Sequence, residues 1–299
     1  MQEQQPARET ISNEVWRDME SRQIDVDRTL RILDNCNAGA YDNVEKVTAE
    51  EIPSIDGETI VDMTGDISLT LPAEQANRRL DDLLPGANPE EHGSWKGPQV
   101  QFDRSELARL GERLLPLVSY GVLNGGSATS YADTKKNSKL SDDLLSLVRE
   151  SFDAVAAVSR GKAKGITPAF VNPDGTFGPS FLELKMRAIL IRILSYNLHY
   201  GAPGDATPPG APFFQMTSVY NNDEIAHTYA EYRHSPLLAD LIHETGVVIT
   251  ETETGVQPMI AAYTHSEAGR PKRVFTRDYG REGETLPLPG GHGQNVDIL

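Results

Sequence analysis

The sequence predicts an α/β protein in which a mostly parallel sheet is covered by helices and preceded by a helical, loop-rich extension. Three observations lead there. Beyond residue 104, short apolar strand-like runs alternate with longer segments of helical spacing, the order expected of parallel strands joined by helices. One of those runs, LVSYGVL at 117–123, passes straight into the Asn124-Gly125-Gly126 turn. Ahead of residue 105, helical spacing is confined to residues 8–35, and the stretch after it is broken repeatedly by proline and glycine.

The elements follow in order. Ile11, Val15 and Met19, then Val26, Leu30 and Leu33, recur at roughly helical spacing, so residues 8–35 should form one or two amphipathic helices that stop near Asn37-Ala38-Gly39. Pro53, Gly57, Pro72, Pro85, Gly86, Pro89 and Gly97 make 40–104 a loop-rich section that wraps the later domain. SELARLGERLLP reads as a short helix capped by Ser105, and LVSYGVLNGG as a buried strand entering a double-glycine turn. Helices are expected at 141–159, 180–199, 222–233 and 236–243, with Ser180 capping the second. Strands are expected at 212–219, 246–250 and 258–264, and GAPGDATPPGAP at 201–212 is a Pro/Gly loop. The division expected is therefore 1–104 as the N-terminal extension and 105–299 as a nucleotide-binding core.

Composition narrows the partners. The chain has 299 residues, 38% hydrophobic and 24% charged, enough for one large domain or a domain with an appendage. A formal net charge of −16 argues against a nucleic-acid partner, whose phosphates need a basic surface. Cys36 is the only cysteine, which rules out an intrachain disulfide and a multi-cysteine zinc site and fits a reducing compartment. The first residues are polar, and no apolar run approaches a membrane span, so the expectation is a cytoplasmic protein without a membrane partner.

Five segments carry residues suited to ligand chemistry. In LNGGSATSY the paired glycines let the backbone approach a ligand closely. In KAKGITP, Lys162 and Lys164 each offer a compact positive charge for a polyphosphate. FFQMTSVYNND is a strand that ends in small polar residues before a helix, where open α/β sheets place ligands. Gln257 presents a donor and an acceptor suited to a pyrimidine edge, and LPLPGGHGQN sets His292 between glycines. Each has a bland alternative: a steric glycine turn, a surface lysine, a solvated glutamine, an incidental histidine. A Ser/His hydrolase fits poorly, for want of a G-x-S-x-G turn or an acidic partner for His292. His227, His234, His243 and His265 form no H-E-x-x-H helix.

In this order the segments resemble the UTP:glucose-1-phosphate uridylyltransferases and their UDP-N-acetylhexosamine pyrophosphorylase relatives. The family's L-x-G-G-x-G-T-R-L-G loop is matched by Leu123, Gly125, Gly126, Ala128 and Thr129, and its P-K-G by Lys164-Gly165. Its M-N-S segment is matched by Met216-Thr217-Ser218, and its P-P-G-H-G-D by Pro289-Gly290-Gly291-His292-Gly293-Gln294. The last match leans towards the glucose branch. The resemblance covers roughly residues 105–299, and it implies a Rossmann-like three-layer α/β/α nucleotidyltransferase core of the nucleotide-diphospho-sugar transferase type with a helical N-terminal extension.

The resemblance further implies a residue-by-residue site for UTP and a sugar 1-phosphate, glucose 1-phosphate being favoured. Leu123, Asn124, Gly125 and Gly126 would meet uracil and ribose, joined by Thr129, with Met216 and Gln257 completing the base pocket. Lys164, with Lys162 as its rival, would hold the UTP phosphates. Gly291 would admit the nucleotide, and His292 would lie near the sugar phosphate. The sugar-phosphate oxygen would attack the α-phosphorus in line, with Mg2+ and lysines steadying the departing pyrophosphate. Ala128 and Ser130 replace a family glycine and arginine, a charge that Lys135 or Lys136 would have to supply, and Lys164 lies 38 residues past Gly126, farther than in the family. The family's metal-binding aspartate and second lysine fall beyond Leu299, which implies an incomplete core. The alternative is a non-catalytic nucleotide- or sugar-phosphate-binding module of the same descent, favoured by Ala128, Ser130 and the absent acceptor half.

Overall fold

A computed structural model describes residues 11–42, 64–65, 67–126, 141–201, 212–264, 271–277 and 284–294. The chain is mixed α/β, and its parallel sheet has three strands: β4 (Tyr120–Leu123), β5 (Phe213–Ser218) and β6 (Glu253–Gln257), in the order β4-β5-β6. β5 is central and buried along nearly its whole length, as expected of a parallel strand with neighbours on both edges. α5 (Asp142–Ser159) and α6 (Phe181–Tyr200) lie between β4 and β5 in the chain, and α7 (Asn222–Tyr232) and α8 (Ala239–Thr245) lie between β5 and β6.

The largest core forms around α6. Ser180 starts this helix by accepting from the Glu183 amide at 3.1 Å. Leu182, Met186, Ile189, Leu190 and Ile193 then fall on one face, and they meet Val122, Phe213, Ile225, Tyr229, Leu238 and Ile249. Full burial of one such side chain contributes roughly 1.5–3 kcal/mol, so this layer is the main store of apolar stabilisation. Ser180 also bonds Tyr232, whose phenol is pushed up to about 12 by burial despite that bond, so it stays neutral at pH 7.

The helices expected at 8–35 are α1 (Asn13–Ser21) and α2 (Val26–Asn37), capped by Ser12 and Asp25, and the second ends at Asn37 as the sequence indicates. They pack against β7 (Met259–Ala261) through Met19, Ile24, Leu30 and Leu33. Hydrogen bonds secure the join: the Asp25 amide donates to the Met259 carbonyl at 2.8 Å, and the Asn37 side chain exchanges two bonds with the Lys272 backbone. β7 pairs antiparallel with β10 (Pro287–Pro289), and β8 (Thr276–Arg277) pairs with β9 (Glu284–Thr285).

Several local expectations are corrected. The stretch read as loop holds, within 68–103, an antiparallel sheet in the order β1-β3-β2, made of β1 (Ser68–Pro72), β2 (Ser94–Lys96) and β3 (Gln99–Asp103), with α3 (Ala73–Leu83) packed on it. The prolines and glycines mark turns between short elements, as at Gly97, whose φ of 60° serves the β2–β3 turn. α4 (Arg104–Arg113) sends Leu107 and Leu110 into the same cluster, and its cap is Asp103, not Ser105. No strand forms at 246–250: Gly246 ends α8 at φ 69°, and Ile249 fills the α6 core from an irregular segment. The strand comes later, at 253–257, and Pro258 separates it from the short β7, because proline cannot donate to a ladder. No helix among the described residues is long and apolar enough to cross a membrane.

Candidate functional site

The three parallel strands point their carboxyl ends at one place. β4 leaves the sheet at Leu123, and the next amide, Asn124, still donates to the Met216 carbonyl at 2.7 Å, which holds the start of the glycine turn beside β5. Gly125 has no room for a side chain. A Cβ there would lie 2.9 Å from Gln257 Oε1 and 3.4 Å from the Thr217 carbonyl. Gln257 is the last residue of β6, almost fully buried, and its Nε2 donates to the Gly291 carbonyl at 2.9 Å. Three segments distant in sequence thus meet: the 123–126 turn, the end of β6 and the 290–294 turn.

A fourth segment closes on the same turn. The Lys164 amide donates to the Gly126 carbonyl at 3.0 Å, and a Cβ on Gly165 would overlap Asn124 Oδ1 and the Leu182 side chain. The short 3-10 turn Lys164–Ile166 is therefore docked against the double-glycine turn, with the Thr167 hydroxyl donating to the Lys164 carbonyl at 2.7 Å. Lys162 and Lys164 are both exposed. Only Lys164 is tied to the glycine turn, since the Lys162 amide bonds the Ser159 carbonyl at the end of α5.

β5 ends in a hydrogen-bonded asparagine turn. Asn221 Oδ1 accepts from the Ser218 amide at 2.8 Å and the Ser218 hydroxyl at 3.0 Å, while its Nδ2 donates to the Asn124 carbonyl at 3.1 Å. Thr217 donates to Asn222 at 2.8 Å. Asn221 is thus the pin between the ends of β4 and β5. Its signal in the sequence was the SVYNN exit from a buried strand, where asparagine side chains commonly bond their own turn. Deeper in the same strand, buried Gln215 accepts from Tyr229 at 2.9 Å and from Asn124 Nδ2 at 3.4 Å, and it donates to Thr252 and Thr254. Burial raises the Tyr229 phenol, so this donor is neutral across the physiological range.

Of the residues singled out from sequence, Leu123, Asn124, Gly125, Gly126, Lys164, Gln257 and Gly291 are brought together. Met216 takes part through its carbonyl alone, because its side chain is fully buried. The backbone of His292 lies in a 3-10 turn at 292–294, and its side chain lies outside the described residues, as does all of Thr129. Gln294 was visible only as the end of the Gly-His-Gly motif. It is 3% exposed, packs against Gly290, and both polar atoms of its carboxamide are buried without a hydrogen-bond partner. Such a group costs roughly 1–3 kcal/mol when left unpaired.

No family model and no curated protein matches this chain. The site therefore stands on its own geometry. Glycines, backbone carbonyls and carboxamides dominate it, with one exposed lysine at its rim. Among the described residues, no group of three or more His, Cys, Asp or Glu side chains is placed to hold a metal ion. Such a surface offers backbone groups and close backbone approach at the carboxyl ends of the strands.

Proposed function

We propose that the chain is a nucleotide-binding protein of the uridylyltransferase type, with a Rossmann-like nucleotidyltransferase core, which joins UTP and a sugar 1-phosphate into a UDP-sugar and pyrophosphate. One observation carries the reading: the glycine turn, Lys164-Gly165, Gln257 and Gly291, spread over more than half of the sequence, converge at the carboxyl ends of a parallel sheet. Open α/β sheets bind ligands at that edge because the loops there leave a crevice and free backbone groups.

In this reading uracil meets the backbone of Gly125 and Gly126, the buried Gln257 carboxamide supports that turn from beneath through its bond to Gly291, and Lys164 lies towards the phosphates. Attack of the sugar-phosphate oxygen on the α-phosphorus needs positioning and charge neutralisation rather than a protein nucleophile. Magnesium would be held chiefly by the phosphates of UTP, as is usual for this hard, well-hydrated ion. A non-catalytic nucleotide-binding module uses the same contacts and differs only in turnover.

Calorimetric titration with UTP and magnesium, with ATP as control, tests the reading. Selective UTP binding is expected, weakened about tenfold by Lys164→Ala, the loss of one charge-assisted contact of roughly 1.5–3 kcal/mol. Lys164→Ala leaves the backbone bond to Gly126 in place, whereas Gln257→Ala also releases Gly291. Equal affinity for UTP and ATP, or no binding, would overturn the base assignment. Release of pyrophosphate in the presence of glucose 1-phosphate separates the enzyme from the module.

A further inference from the structure

A second concavity lies on the α7 flank of the sheet. It has a volume of about 470 Å³, within the roughly 300–1,000 Å³ typical of small-molecule pockets. One wall is a single face of α7, where Asn222, Ala226, Ala230 and Arg233 follow at helical spacing. The other wall is the 250–254 segment leading into β6, and Gln215 and Tyr229 form the floor. The two alanines leave the middle of the helix face empty, and that accounts for the space.

We infer that this cleft is a second binding site, and that its ligand is a small neutral polyhydroxylated molecule of monosaccharide size. Charge excludes the other classes. Arg233 and Glu251 are the charged residues of the lining, they pair at 3.6 Å, and the two cancel, so neither a phosphate nor a cation finds a net attraction. Asn222, Thr252 and Thr254 keep hydrogen-bonding capacity beyond the bonds they make within the protein, which a polar ligand uses and an apolar one does not. Threonine hydroxyls and carboxamides each donate and accept, and vicinal hydroxyl groups of a ligand do the same. Tyr229 is only 4% exposed and offers no face for stacking, so the affinity is set by hydrogen bonds alone and falls on the order of 1 mM.

The cleft is wired to the strand ends. Gln215 takes hydrogen bonds from Tyr229 and Asn124 on one oxygen and gives two to Thr252 and Thr254, so a ligand that reorients the threonines is felt at the start of the glycine turn. The inference does not depend on the identity of the ligand at that turn.

Heteronuclear NMR titration of the full chain with D-glucose, myo-inositol and inorganic phosphate tests it. The expected result is saturable shifts in the amides of 222–233 and 250–254, extending to Asn124, with either polyol and not with phosphate. Ala230→Trp fills an exposed gap on the helix and should weaken polyol binding at least tenfold while the melting temperature and UTP affinity hold. The inference is overturned if no polyol gives saturable shifts, if phosphate binds as tightly, or if Ala230→Trp binds polyols as well as the parent. Polyol shifts confined to Gly125-Gly126 and Gln257 would also overturn it, by moving the sugar to the strand ends.

Discussion

The middle of the α/β unit and the carboxyl edge of its sheet are built on the same strands and obey different rules. Around α6 the contacts are apolar: Met186, Leu190, Ile193 and Ile225 are essentially unexposed, and each is held by shape and burial. A few residues further along the strands, order comes from directed bonds, with Asn221 pinning two strand ends and Gln257 reaching to Gly291. Apolar packing tolerates no void but is indifferent to hydrogen-bond direction. The edge tolerates glycine and open space but leaves almost no buried polar group unpaired, which makes Gln294 conspicuous. The difference places most of the apolar stabilisation in the α6 layer and the proposed ligand recognition at the edge.

The strongest way to break that division is a cavity in the α6 layer. Leu190→Ala should lower the unfolding free energy by about 2–5 kcal/mol, read by urea denaturation, with nucleotide affinity unchanged in the molecules that remain folded. A large loss of affinity at unchanged stability would show that the layer and the edge are not separate.

Asn221→Ala attacks the edge instead. It strips partners from the Ser218 amide and the Asn124 carbonyl and should cost about 1–3 kcal/mol, with faster amide exchange concentrated at 123–126 and 217–222 rather than spread over α6. Uniformly faster exchange would mean that Asn221 is simply part of the core.

The smallest effect is expected at Asp18, in the α1 helix. Burial opposes ionisation there, yet bonds from Thr285 and Arg22 outweigh it and hold the carboxyl below its ordinary value near 3.8. A depressed folded value means that the contribution is complete above the ordinary carboxylate range and is lost as pH falls through the lowered one. Asp18→Asn should therefore reduce the acid-induced loss of stability while leaving the slope between pH 5 and pH 7 unaltered, measured as unfolding midpoints against pH. A change confined to neutral pH would contradict this assignment.

Legibility in the sequence followed the same division. α6 and β5 were readable because burial writes itself as periodicity, a long apolar helix in one case and a short apolar run in the other. β6 was not, because ETGVQ has little strand propensity and is held in place by pairing with β5. The neighbouring 246–250 run misled for the converse reason: Val247 and Ile249 are apolar because they fill the core, not because they pair. At the edge, the glycine turn, Lys164, Gln257 and the Gly-His-Gly motif were visible as residue types, but their meeting depends on contacts between positions as far apart as Gly126 and Lys164 or Gln257 and Gly291. Gln294 and Asn221 gained their significance only from burial and bonding, which composition does not encode.

The most direct measurement of the central claim is hydrogen–deuterium exchange of the full chain with and without UTP and magnesium. The account predicts that nucleotide slows exchange together at 123–126, 164–166, 257 and 291–294, while the α6 amides change little. Protection of only one of these segments, or of none while α6 alone responds, would contradict a shared nucleotide site at the carboxyl edge of the sheet.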